Sequence, residues 1–173
     1  MESDFRYPLF HRDDVTAFWA LFADNLANIV ISTGICLTVF KMPPEVVFGR
    51  ILPGMGISLL AGLSFYSYLA KKLAERERRN DVTALPYGIS TPIMFVYLFG
   101  VIGPVYWKLS AAGISDASVI AWRVGVAAAV VGGILEMAGS ISGKYLKKII
   151  PRAGMLGTLA GIAIVWIAAV PMA

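Results

Sequence analysis

Asn80-Asp81-Val82-Thr83-Ala84-Leu85-Pro86-Tyr87-Gly88-Ile89-Ser90-Thr91-Pro92 runs directly into the apolar segment Ile93 to Trp107. A bilayer-spanning helix does not ordinarily begin this way. Pro86, Gly88 and Pro92 interrupt the hydrogen-bond ladder and leave main-chain groups that lipid cannot satisfy. Two readings are open. Either the stretch lines a cavity at membrane depth, or Val82 to Thr91 is a cytoplasmic loop before an ordinary span with a proline near its start. In extended form Val82 to Gly88 covers about 23 Å at roughly 3.3 Å per residue, enough to carry the chain well into a bilayer. Ser90 or Thr91 can cap the helix that follows, with Pro92 in the first turn, where no amide is missed. At depth, the free amides and positive dipole end of that helix can meet an acceptor or anionic group on a solute.

Composition sets the solvent. Of 173 residues, 58% are apolar and 15% charged, and the mean hydropathy is +0.73, far from the roughly even apolar share of a soluble domain. The pattern is that of an all-α polytopic membrane protein whose first partner is the lipid bilayer. The formal net charge is +4, but the basic residues fall in short clusters between apolar runs, where they set orientation and not nucleic-acid binding. The one cysteine, Cys36, lies within the first apolar run, so no intrachain disulfide can form and a packing role is expected. That first run is too long for a secretory signal and lacks a small-residue cleavage site.

Outward from the broken stretch, about five spans are expected, the third a strand followed by a half-helix. Residues 1–14 form a polar tail, expected in the cytoplasm, and 15–173 the transmembrane region. Helix 1 is expected from Val15 to Phe40, stopped by Lys41-Met42-Pro43-Pro44-Glu45. Helix 2 runs from Val46 to Ala70, where Gly49, Gly54, Gly56 and Gly62 let neighbours approach. Lys71 to Asp81 reads as a charged loop, 82–107 as the broken third segment and Lys108 to Ser118 as a polar loop. Helix 4 is expected from Val119 to Ile141, a basic connector from Gly143 to Arg152, and helix 5 from Ala153 to Ala173.

The fifteen Lys and Arg residues orient this arrangement. Arg6 and Arg12 precede helix 1, five basic residues between Lys71 and Arg79 follow helix 2, and Lys144, Lys147, Lys148 and Arg152 follow helix 4. The positive-inside bias therefore predicts a multi-pass protein of the cell inner (plasma) membrane with its amino terminus in the cytoplasm. The sequence given ends on Val170-Pro171-Met172-Ala173 without a basic or aromatic anchor, the pattern expected of a fragment of something longer.

Few side chains could carry chemistry. Asp24, Asn25 and Asn28 lie near the middle of helix 1, with Asp24 and Asn28 on one face. A carboxylate there costs on the order of 2.5–3.5 kcal/mol on insertion scales, so it should face a cavity or a partner. Asp24 is then a proton or solute partner, or the trio is an interhelical polar clamp. Glu136 in helix 4 is expected mainly to play a structural role, pairing with a cation such as Arg50 or Arg123, or sitting near the interface. Tyr87 can stack on a planar solute or simply pack. His11 is the only histidine, in the tail, which leaves histidine catalysis and histidine metal ligation little to work with; no catalytic residue, metal or cofactor is expected.

Phe22-Ala23-Asp24-Asn25-Leu26, Arg50-Ile51-Leu52-Pro53-Gly54 and, above all, Asp81 to Pro92 resemble the amino-terminal part of the nucleobase–cation symporter-2 family, the xanthine/uracil permeases, and especially a bacterial branch of it. The resemblance covers the chain from about Asp14 onward. It implies a fold of two inverted repeats of seven segments, here partial, in which segments 3 and 10 are each a strand plus half-helix and the base binds where the strands meet. It implies that Ala84, Leu85, Tyr87, Gly88, Ser90 and Thr91 supply one wall of a substrate site, the principal acidic ligands coming from segments 8 and 10, which these residues do not include. Asp24-Asn25 stands where the better-known permeases carry Gln-His, a departure bearing on substrate preference.

The expected function is thus secondary active uptake of a nucleobase-like solute with H+ or Na+, by a chain that forms a homo-oligomer or lacks a carboxy-terminal half. A lone half-helix with an unpaired strand edge would make the monomer unstable or incomplete. The alternative is a non-transporting module that binds a partner protein through its Gly-rich helices. An intramembrane enzyme lacks any nucleophile and base pair to work with.

Overall fold

The computed structural model describes residues 12–149 together with 151, 153, 154, 157, 158, 160, 161 and 164. Among these, four helices are long and apolar enough to cross a membrane, the mark of a helical membrane protein. They are α1 (Arg12–Thr38), α2 (Pro44–Glu77), α3 (Thr91–Ala111) and α4 (Ala117–Ile149). The expected tail up to residue 11, with His11, and most of the expected fifth helix lie outside the described residues.

Prolines punctuate the helices. α1 stops ahead of Pro43 and Pro44, and α2 starts on Pro44, whose missing N–H is no loss in a first turn. Within α2, residues Val47–Ile51 widen into a π turn just before Pro53, and within α3 Val96–Ile102 do so before Pro104. The cause is shared. A mid-helix proline has no N–H to donate and its ring presses on the carbonyl four residues earlier, and a π turn relieves that pressure.

Three helix ends run past the expected boundaries. α2 continues through the charged run to Glu77, with Lys71 and Glu75 3.9 Å apart at i,i+4, and ends at Arg78, whose φ of 52° and ψ of 46° make a left-handed cap. α3 continues to Ala111, and α4 crosses the expected connector to Ile149. Lys, Arg, Glu, Leu and Ala all favour helix, so charge alone does not terminate one.

The strand expected in the third segment is not present. No strand occurs among the described residues, and 79–90 is irregular chain leading into α3 at Thr91. A strand needs a partner whose main chain completes its ladder, and this stretch is held by side chains instead.

The chain divides into two compact units, Met1–Ile35 with Pro44–Ile89, and Cys36–Pro43 with Ser90–Ala173. In the second, α3 packs on α4. Gly125 admits Ile102, Gly132 admits the Tyr97 hydroxyl, and that hydroxyl donates to the Ala128 carbonyl at 3.5 Å. Phe40, fully buried, sits among Phe99, Tyr106 and Trp107 with ring centroids 5.6–6.3 Å away. Cys36 accepts the Met42 N–H through its carbonyl at 2.9 Å, closing the turn that delivers Phe40. In the first unit α1 and α2 leave an apolar slot of about 230 Å³, bordered by Leu21, Leu26 and Ile29 on one side and Leu59 and Leu63 on the other.

Candidate functional site

Asn25 and Asn28 are three residues apart on α1, so their amides share one face. Both are buried, at 7% and 2% exposed. Their target is one residue of the broken stretch. Ile89 donates its N–H to Asn25 Oδ1 at 2.8 Å, and its carbonyl accepts from Asn28 Nδ2 at 3.2 Å. Each amide is braced in turn, because Asn25 Nδ2 donates to the Leu21 carbonyl at 2.9 Å and Asn28 Nδ2 also reaches the Asp24 carbonyl at 3.1 Å. Two side chains thereby satisfy both main-chain groups of Ile89, as a neighbouring strand would.

This pairing fixes depth along α1. Asn25 is the central residue of Arg12–Thr38, about 20 Å from either end at 1.5 Å per residue. Gly88 makes the approach possible, since a Cβ there would lie 2.8–3.2 Å from the Asn25 amide. One step earlier, Tyr87 leans on α2, its ring over Gly62 and 5.7 Å from the Tyr66 ring, its hydroxyl 3.5 Å from Ser58 Oγ. Tyr87 is therefore engaged in packing within its unit.

Below the clamp, the first half of α1, the middle of α2 and residues Thr83 to Pro86 enclose a cleft of about 710 Å³, within the range of small-molecule sites. Its polar side chains are Asp14 and Asp24 from α1, Ser67 from α2 and Thr83 from the broken stretch. Phe18, Leu21 and Leu63 supply apolar wall. Asp24 is exposed, while its neighbours Asn25 and Asn28 are buried, so the trio splits: the asparagines hold backbone and the carboxylate faces the cleft. Ala84 and Leu85 are exposed, and their main-chain groups have no hydrogen-bond partner among the described residues.

Of the positions singled out in the sequence, Asp24, Ala84 and Leu85 come together at this cleft, and Asn25, Asn28, Gly88 and Tyr87 form the support beside it. Ser90 and Thr91 belong to the second unit, where Ser90 precedes the first turn of α3 in extended conformation and its carbonyl accepts the Met94 N–H at 2.8 Å. Glu136, also in the second unit, is exposed on α4. The sequence reading missed Ser67, Phe18 and Asp14 as cleft residues. Ser67 and Leu63, four apart on α2, show their common face only once a partner for that face is known.

The approach to the broken stretch is latched outside the spans. Arg79 grips Asp81 with Nε and Nη2, both at 2.8 Å, and reaches Glu77 with Nη1 at 3.0 Å. Hydrogen bonds from Arg79, reinforced by a backbone N–H and the guanidinium charge, hold the Asp81 carboxyl below its usual range. Asp81 in turn keeps the guanidinium protonated to higher pH, with Glu77 adding to the effect. Among the described residues no cluster of His, Cys, Asp and Glu could hold a metal ion. No protein-family model, curated protein or solved structure matches the chain.

Proposed function

We propose that the chain is a membrane permease of the xanthine/uracil type, taking up a small nucleobase-like solute by secondary active transport coupled to H+ or Na+. One observation carries the reading. The irregular stretch ending at Ile89 is bonded to the midpoint of a helix long enough to span the bilayer, beside an exposed carboxylate on that helix and a cleft of solute size. Irregular backbone at such depth is tolerated where it lines a water-filled cavity, and an ionisable residue there is functional by default. Broken segments facing a central site are how transporters meet their solutes.

The test is uptake of radiolabelled xanthine or uracil into proteoliposomes holding the purified chain, with a spin label at Ser90→Cys as a second readout. Saturable uptake driven by an inward proton or sodium gradient, abolished in Asp24→Asn, is the expected result. Uptake no greater than in protein-free vesicles, together with a label that meets lipid and no water-soluble relaxation agent, overturns the reading.

A second reading has its own support. Gly49, Gly54 and Gly56 of α2 have open space where a Cβ would stand, and only 6% of the apolar window of α2 is buried. A partner helix laid on those glycines would make the chain an assembly module.

A further inference from the structure

We infer that the charged end of α2 carries a binding surface for an anionic phospholipid, with Lys72 and Arg76 as the pair that takes its headgroup phosphate. The inference stands apart from the permease reading, since it concerns the face of α2 turned away from the cleft. Because the run after Ala70 is helical through Glu77, its charges have fixed faces. Phe65, Tyr68, Leu69, Lys72 and Arg76 recur at three- and four-residue steps and so form one stripe. All five are exposed. Ser67, which borders the cleft, and Ala74, fully buried, lie on the opposite face, so the stripe points out of its unit.

Charge decides what the stripe can hold. Glu75 and Glu77 are the only acids between Lys71 and Arg79, and each already has a cation beside the stripe: Glu75 lies 3.9 Å from Lys71, and Glu77 3.0 Å from Arg79. Lys72 and Arg76 have no ion pair among the described residues, and they stand one turn apart as like charges. Such a pair is unfavourable until an anion joins it. A phosphodiester answers both, accepting from the guanidinium fork and from the ammonium. The apolar half of the stripe selects a lipid over a soluble anion. Tyr68, 61% exposed, lies one turn below Lys72, where an amphipathic ring meets the headgroup level, and Phe65, 57% exposed, lies deeper in the span, at the level of the acyl chains. Basic residues just beyond a span bind anionic lipid in this way.

The experiment attaches a bimane fluorophore to Leu69→Cys, within the stripe, in the full chain in phosphatidylcholine nanodiscs; wild type, whose Cys36 is buried, gives the background. Brominated phosphatidylglycerol and brominated phosphatidylcholine, each added as a small fraction of the lipid, are the quenchers. Phosphatidylglycerol should quench at mole fractions at least about five-fold lower than phosphatidylcholine, the preference that one cation confers near a charged surface. Lys72→Gln combined with Arg76→Gln should remove the preference, Lys72→Arg should keep it, and Lys71→Gln, whose cation already serves Glu75, should leave it largely intact. Equal quenching by the two lipids, or a preference that survives the double variant, overturns the inference. Inorganic phosphate that cancels the preference where chloride of equal ionic strength does not assigns the pair to a soluble anion and overturns the lipid assignment. No quenching by either lipid means that the stripe does not face the bilayer and removes the surface, while the cleft and its uptake test are untouched.

Discussion

Asn25 Oδ1 accepts the Ile89 N–H at 2.8 Å across 64 residues of chain, so a side chain at the midpoint of one helix fixes where another segment of its unit lies. Truncation to Asn25→Ala removes that acceptor and the donor to Leu21, leaving the part-buried Ile89 N–H without its partner. An unsatisfied buried donor costs about 1–3 kcal/mol, and Asn25→Ala should lower stability by that amount in reversible denaturation from mixed micelles. Asn28→Ala should cost about as much or less. The double variant should fall short of the sum, because both amides serve one residue. Strict additivity would mean that they do not act as a unit.

Gly62 and Gly56 lie on the same helix and should respond oppositely to alanine. A Cβ at position 62 would overlap the Tyr87 ring, and displacing that ring should cost about 1–3 kcal/mol. At position 56 nothing lies within 4 Å, so Gly56→Ala should gain roughly 0.5–1 kcal/mol from the lower helix propensity of glycine. Thermal unfolding in detergent measures both. A marked loss of stability or of assembly for Gly56→Ala would point to a partner helix seated on that glycine, the assembly reading above.

The Arg79 latch sets a pH dependence. Asp81 is held below its ordinary value of about 3.9, so the latch contributes fully above that pH and is lost as pH falls through the lowered value. It should stay closed from neutral pH down to about 4 and open below. Both partners are exposed, so the effect on stability is small and weakens with salt. A carboxyl-labelled NMR titration of Asp81 should show its midpoint move up toward the ordinary value in Arg79→Ala. An unmoved midpoint would assign the lowering to the backbone N–H instead.

What could be read from the sequence divides along physical lines. Breakers act locally, so Pro43-Pro44 and Ser90-Thr91-Pro92 marked the start of α2 and of α3 to within a residue or two. Helix ends without a proline or glycine were not marked. The charged run to Glu77 is a good helix former whose stop is the left-handed Arg78, a conformation its residue type does not announce. An interhelical clamp was one expectation for the trio; the two asparagines instead hold the main chain of an irregular stretch at Ile89, 61 and 64 residues away, a target that leaves no local pattern. Asp24 was singled out because a carboxylate amid apolar residues is conspicuous. Ser67 was not, because a serine in a spanning helix is ordinary until its face is known. The expected strand failed for a related reason: extended chain is a local property, and a ladder is not.

Phe40 tests how far packing alone holds the second unit. Its ring is fully buried against Phe99, Tyr106 and Trp107, and it reaches them from the short turn that Lys41 completes at a φ of 48°. In water, Phe→Ala in a core costs about 3–5 kcal/mol, part of it transfer from water and part the cavity left behind. In a bilayer the transfer component shrinks, because lipid tails solvate the exposed ring well, while the lost contacts remain. Phe40→Ala should therefore fall at or below the lower end of that range, and Phe40→Leu should recover part of the loss. The reversible unfolding of both variants decides it. A loss near 5 kcal/mol for Phe40→Ala would mean that the ring leaves water on folding, and that this turn stands at the aqueous boundary.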